Sequence, residues 1–427
     1  MSLLTSLYSG VSGLETNSQD LTIIGDNIAN ANTIGFKQTR AAFADQLAQS
    51  VIGAGQIGLG SKLEMAQRIL TQGSLTATGN ALDLALQGNG MFVVHGSQDG
   101  TTSDFYTRDG RFSVDSQGYM VNLAGMRVQG YEADQTGAIT STLGDLSFGT
   151  ATAQPQPSST IKLKANLDAS ANVIAAPFDP ANPTVTSNFA TSTTIYDSLG
   201  TAHQASVYFR KTGAGTWEYH MLTDGAGVQG GTPGQPTEIG TGTMSFDAQG
   251  KLVDSTQSSS FNPNGATQPQ ALTMDFGTST TAGGTGIDGL TQYASSSTVT
   301  FASQDGWASG ELSGVQIAND GTINGSFTNG QTRPLGKVAV ATFSAADRLS
   351  RVSDNLSAAT TESGQASVGL AGTGGRGQIA AGALEQSNVD LATEFVRMIS
   401  AQRGFQANGK TINTADQLLQ ELISLKR

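Results

Sequence analysis

The chain runs to 427 residues, with a formal net charge of −12 and charged side chains at only 13% of positions. That length calls for two or three domains, and an acidic balance with no basic run excludes a nucleic-acid binder. There is no cysteine, so disulfides and thiolate metal sites are excluded, and no apolar run is long enough for membrane insertion.

The N-terminus, MSLLTSLYSGVSG, lacks the positive flank and continuous apolar stretch of a cleaved signal peptide. Leu7, Leu14, Leu21 and Ile28 recur at a seven-residue spacing, with Leu4 and Val11 three residues before the first two. That pattern predicts a helix with a heptad seam. Gly10, Gly13 and Gly25 interrupt it, each at a cost of about 1 kcal/mol relative to Ala, so the helix needs a partner.

The next stretch, NIANANTIGFKQTR from Asn27 to Arg40, reads as a helix exit. Asn27, Asn30 and Asn32 are able to cap or turn, with Thr33 among them, and Gly35 allows an unusual backbone angle. Phe36 is set to be buried, and Lys37 and Arg40 to be paired. A short Gly-rich connector follows, as far as Gly60.

The middle of the chain reads as β-structure. Asp115–Gly118, Asp197–Gly200 and Asp247–Gly250 each separate or follow short β-branched or aromatic runs, and Asn319-Asp320-Gly321 is a further turn. Asp bonds its own backbone in such turns, and Gly takes the positive φ. These Asp residues lack the further carboxylates of a calcium loop. Residues 150–158, 176–187 and 275–298 have linker composition and bound or lie within a central inserted domain. Trp217 and Tyr219 share one face of a strand and are predicted to be core.

At the C-terminus Leu391, Met398, Phe405, Ile412 and Leu419 repeat every seven residues, and Ala401, Ala415 and Leu422 supply the second seam position. Ser387 with Asp390 reads as a capping box before this helix, and Lys426 and Arg427 suit its C-terminal end. At 1.5 Å per residue the helix would be about 55 Å long. Two heptad helices at opposite chain ends are predicted to pair with each other, leaving seams that drive assembly.

No residue set for catalysis, cofactor binding or metal binding emerges, and an enzyme is not expected. His95, His203 and His220 lack metal-ligand spacing, and no G-x-S-x-G or H-E-x-x-H occurs. Gly53, Gly55 and Gly58 form a G-x-G-x-x-G, but no Val- and Ile-rich strand precedes it.

The Asn27–Arg40 stretch resembles the N-terminal signature of the bacterial flagellar rod and hook family. SNVDLATEFVRMISAQRGFQAN followed by NGKTINTADQLLQELISLKR resembles that family's other end. LTQGSLTATGNALDLALQGNGMFVV, from Leu70, is similar to the segment entering its first β-domain. TSTTIYDSLGTAH, from Thr191, and the large inserted domain resemble the hook members; a distal rod subunit is the alternative.

The resemblance implies a mixed fold, with long terminal α-helices forming a coiled coil, plus β-rich middle domains of antiparallel sandwich or barrel type, discontinuous and nested in the chain. Residues 1–30 with 385–427 would form the channel-lining helical domain and 31–72 a connector. Residues 73–149 with 310–384 would form the first β-domain, and 150–309 the inserted outer one. It implies an extracellular homopolymer, a curved flexible tube passing motor torque to the filament. Its partners would be its own copies, the rod, the hook cap, the hook–filament junction proteins and the flagellar export apparatus, a type III route that needs no cleaved signal.

Overall fold

The computed structural model describes residues 3–47, 58–98, 100–149 and 151–424. Gly53, Gly55, position 150, Lys426, Arg427 and the side chains of Leu4 and Leu422 lie outside the described residues.

A helix stands near each end: α1, Leu3–Ala29, and α2, Leu391–Ser424, whose 34 residues give about 51 Å of length. Neither is long and apolar enough to cross a membrane. Asp390 caps α2, its Oδ1 accepting from the Ala392 and Thr393 N–H groups at 2.8 and 3.2 Å. Ser387 was expected to lead the cap but instead accepts from the Val389 N–H. The helix starts at Leu391, so only Asp390 has the orphan donors of the first turn in reach.

The connector expected over 31–72 contains a two-stranded antiparallel sheet, β1 (Thr39–Leu47) and β2 (Gly58–Arg68), with Thr39 opposite Arg68. It lies against α1, where Ser12 Oγ accepts from the Ser61 N–H and Thr16 Oγ1 meets Ser61 Oγ, both at 3.3 Å. Apart from Thr39 these strands hold no β-branched residue, so propensity gave no sign of them.

The chain forms two compact units, Met1–Ala151 with Gly314–Ser326 and Thr332–Arg427, and Thr152–Ser313 with Phe327–Gln331. In the first unit, strands Met91–Gln98, Thr101–Thr107, Arg127–Ala133 and Thr332–Thr342 join one antiparallel sheet. Phe92, Val94, Val128, Val338 and Val340 are its fully buried centre. The returning chain then pairs Gln378–Ala381 with Leu84–Gln87 and Ala383–Glu385 with Leu75–Ala77. Those pairings bring Glu385, six residues before α2, back to the start of the β-region.

The second unit holds an antiparallel meander of Phe189–Tyr196, Ala202–Gly213, Thr216–Asp224, Pro236–Phe246 and Leu252–Ser255. Its inward residues share one core with Ile161 and Leu163 of a second sheet. Trp217 and Tyr219 are buried in that core. In that second sheet Thr160–Asn166 pairs antiparallel with Thr298–Gln304 and in parallel with Thr273–Asp275 and Leu290–Thr291, so the antiparallel arrangement has two short parallel additions. Residues 275–298 and 176–187 are not free linkers. Phe276 and Leu290 are core, and Phe178 stacks on His220 at 3.9 Å. Small-residue composition there serves tight turns, such as the one at Gly277 with φ 90°.

The Asp turns form as read. Asp115, Asp197 and Asp247 each accept two backbone N–H groups, and Gly118, Gly200, Gly250 and Gly321 have positive φ. Asn122–Gly125 and Asp134–Gly137 repeat the device.

Candidate functional site

The two helices meet through small and polar residues. A Cβ on Gly10 would stand 2.9 Å from Ile412 Cγ1, on Gly13 2.4 Å from Asn408 Nδ2, and on Gly404 2.6 Å from Asn17 Oδ1. Asn27 Nδ2 donates to Glu394 Oε2 at 3.2 Å. Rising numbers on α1 meet falling numbers on α2, so the helices run antiparallel, in register over about 26 Å. The contact is reciprocal. Each helix presents a glycine that receives an asparagine from the other, and on each helix the two are four residues apart, which is one turn. Ala401 and Ala415 are also buried.

Of the heptad residues, Ile412 meets Gly10 in this contact, while several others are only partly covered. Leu7, Leu14, Leu21 and Ile28 are half-buried, as are Met398, Ile412 and Leu419. Val11, Leu391 and Phe405 stand 53%, 42% and 41% exposed, and Tyr8, Phe395, Val396 and Ile399 join them on the helix surfaces.

Where α1 ends, the Asn27–Arg40 residues build a buried polar junction. Asn27 is fully buried. Its amide donates to the Thr39 carbonyl at 2.8 Å, and its Oδ1 accepts the Thr39 N–H at 2.9 Å, so it fastens the helix to β1. Asn30 folds back on Asp26, Thr33 donates to Asn30 Oδ1, and Asn32 is exposed. Gly35 has φ +71°, and its N–H donates to the Glu385 carbonyl at 2.8 Å. A Cβ there would lie 2.7 Å from the Arg108 carbonyl carbon. Phe36 is buried under the Arg351 guanidinium, while exposed Arg40 donates to Gln67 Oε1.

Lys37 reaches the centre of the junction. Its Nζ lies 2.5 Å from Glu385 Oε1, and Arg108 Nη1 lies 3.1 Å from Glu385 Oε2; the Glu385 side chain is 0% exposed. The Gly73 N–H donates to the same carboxylate at 2.9 Å. Burial pushes the Lys37 ammonium below its ordinary pKa, and the bond to Glu385 opposes that shift. Arg108 is held down by burial in the same way. One carboxylate therefore joins three segments far apart in sequence. Arg108 and Glu385 escaped the sequence reading because nothing local marks them.

A second buried carboxylate, Glu394, accepts from Asn27, from Gln38 Nε2 at 3.1 Å and from Arg397 at 3.1 Å. Burial raises the pKa of nearby Asp20, Arg397 opposes the shift, and Glu394 adds to it. Asn388 completes the junction, accepting the Gln38 N–H and donating to the Ile69 carbonyl. Among the described residues no group of three or more metal-ligating side chains is assembled.

Known families match along the chain. A flagella basal body rod protein family matches residues 7–37 and a flagellar hook protein FlgE/F/G D1 domain residues 85–170. A flagellar basal body protein FlaE D2 domain matches 166–307, and a flagellar basal body rod FlgEFG protein C-terminal family matches 380–425. The flagellar hook protein FlgE of Escherichia coli is 35% identical over 426 residues, covering 97% of this chain and 98% of that protein. That of Borreliella burgdorferi is 35% identical over 451 residues, covering 99% and 100%. The crystal structure of Helicobacter pylori flagellar hook protein FlgE2 covers 73% of this chain and 100% of its own, at 17% identity and a TM-score of 0.47.

Proposed function

The chain belongs to the flagellar hook protein family, and from that membership we propose how it builds its assembly. It is a structural subunit of the bacterial flagellar hook, outside the cell, in a family of structural proteins. The observation that carries the hook reading over the distal-rod alternative is the 34–35% identity, over nearly the full length, to proteins named as hook subunits.

The subunit polymerises into a curved, flexible helical tube that joins rod to filament and transmits torque. Residues 1–30 and 385–427 act as a coiled-coil domain lining the channel. Residues 73–149 with 310–384 form a middle layer and 150–309 an outer one. The rod, the hook cap and the junction proteins are its neighbours, and the type III export apparatus delivers it. Supporting this are the apolar side chains left uncovered on helices already paired, among them Val396 at 65% and Tyr8 at 64% exposed. Such stripes mark contact surfaces, and repeated heterologous contacts that do not close give an open filament.

The test is polymerisation of the purified chain, followed by sedimentation and electron microscopy. Tubes that form with the natural chain and fail with Leu14→Asp support the assembly reading. Normal tubes from Leu14→Asp would overturn the assignment of that stripe.

A further inference from the structure

A small cavity lies beside the junction, in the first unit, and its lining is unusual for this chain. In a protein of net charge −12, four cations line it, Lys37, Arg68, Arg108 and Arg351, and no carboxylate does. Three of the four have an anion elsewhere. Lys37 and Arg108 share Glu385, and Arg351 Nη1 meets Asp26 at 2.8 Å. Among the described residues Arg68 has no such anion, and its one side-chain hydrogen bond there is from Nη1 to Ser357 Oγ at 2.9 Å, which leaves most of a five-donor fork without a described partner.

We propose that the cavity lined by Arg68, Arg351 and Ser357 is a binding site for a small inorganic anion of chloride size. The space measures about 30 Å³, above the 10–15 Å³ or so that one water needs. The donors suit an anion. Arg68 keeps unused N–H groups, the Ser357 hydroxyl accepts from Arg68 and so has its own proton to donate, and Ser357 is itself buried. Burial together with the neighbouring Arg351 charge pushes the Arg68 pKa down to about 10. A nearby negative charge would relieve that penalty.

The site also has a structural consequence. Arg68 ends β2, while Arg351 and Ser357 belong to the paired segments Ser350–Arg351 and Leu356–Ala358. Asn355, in the turn between them, donates to the Ile34 carbonyl at 3.0 Å. An anion held there would fasten the hairpin that follows α1 to the β-domain, and binding would stabilise the first unit.

The experiment titrates the full chain with chloride against gluconate at constant ionic strength, reading the chlorine NMR line width and the thermal midpoint. Saturable broadening is expected, with a midpoint that rises alongside it and competition by bromide, a halide of similar size. Arg68→Met should weaken binding about tenfold or more, the loss of charge-assisted hydrogen bonds. Should Arg68→Met fail to fold, Ser357→Ala, which keeps both guanidinium groups, carries the same test with a smaller loss. Broadening that is absent from the natural chain, or unchanged in whichever variant folds, overturns the proposal.

Discussion

Replacing Glu385 by Gln is the sharpest perturbation of the junction. The substitution keeps the side chain's volume and an oxygen for the Gly73 N–H but removes the charge between Lys37 and Arg108, whose side chains are 4% and 8% exposed. Breaking a buried pair by removing one partner costs about 3–5 kcal/mol, because the remaining charge stays desolvated. For a unit of this size each kcal/mol moves the thermal midpoint by about 2–4 °C, so a fall of roughly 6–20 °C is expected. Scanning calorimetry reads this directly, and the transition of the second unit, which holds none of these residues, is the internal reference.

The pH dependence adds a sign. Because burial puts the folded Lys37 pKa below its unfolded value near 10.5, the folded state binds fewer protons between those two values, and stability rises with pH there. Without Glu385 the opposing contribution is lost, the folded value drops further, and the deficit of the variant narrows from a lower pH upward. It does not close, since Arg108 stays charged. Lys37→Met in the Glu385→Gln background should cost less than the two singles summed. A Glu385→Gln loss below about 1 kcal/mol, or equal movement of both transitions, would refute the reasoning.

Gly35→Ala places a Cβ against the Arg108 backbone at a φ of +71°, and a loss of about 2–4 kcal/mol in urea denaturation of the first unit is expected. Asp20→Asn tests the helix pair. Burial raises the folded pKa of Asp20 above its unfolded 3.8, so its ionisation works against folding, and stability falls as pH rises through that window. The variant should be the more stable chain at pH 7 and show no advantage below about pH 3, compared by thermal melts at each pH. Phe405→Asp changes a side chain already 41% exposed. The isolated subunit should lose no more than about 0.5 kcal/mol while tube formation is abolished, with melting and electron microscopy run on the same preparation.

Legibility in the sequence followed locality. The Asp-x-x-Gly turns were readable because donor, acceptor and glycine lie within five residues, as at Asp247–Lys251. The helices were readable from periodicity, and their mutual face in part: Ile412 of the seam meets Gly10, and Ala401 and Ala415 are buried. On α1, leucine spacing points to Leu7, Leu14 and Leu21, whereas close contacts to α2 run through Gly10, Gly13, Asn17 and Asn27. Gly10 and Gly13, counted as a cost to helix formation, are what let the partner helix approach, whereas Gly25 has open space around it. Hydropathy is blind to that, since Gly and Asn add no apolar signal. The junction was half visible. Asn27–Lys37 stood out as a motif, but its partners Arg108, Glu385 and Glu394 come from distant segments, and only the fold brings them together. In the second unit, Gly, Ser and Thr read as linker because their role is in tight turns beside a core supplied by Phe276 and Leu290.

The central claim is that this chain builds the hook, and electron microscopy of basal bodies from a strain lacking its gene tests that most directly. Rings and rod that persist while the curved hook is missing are the predicted result. A rod that is missing or truncated as well, or complete flagella, would contradict the account.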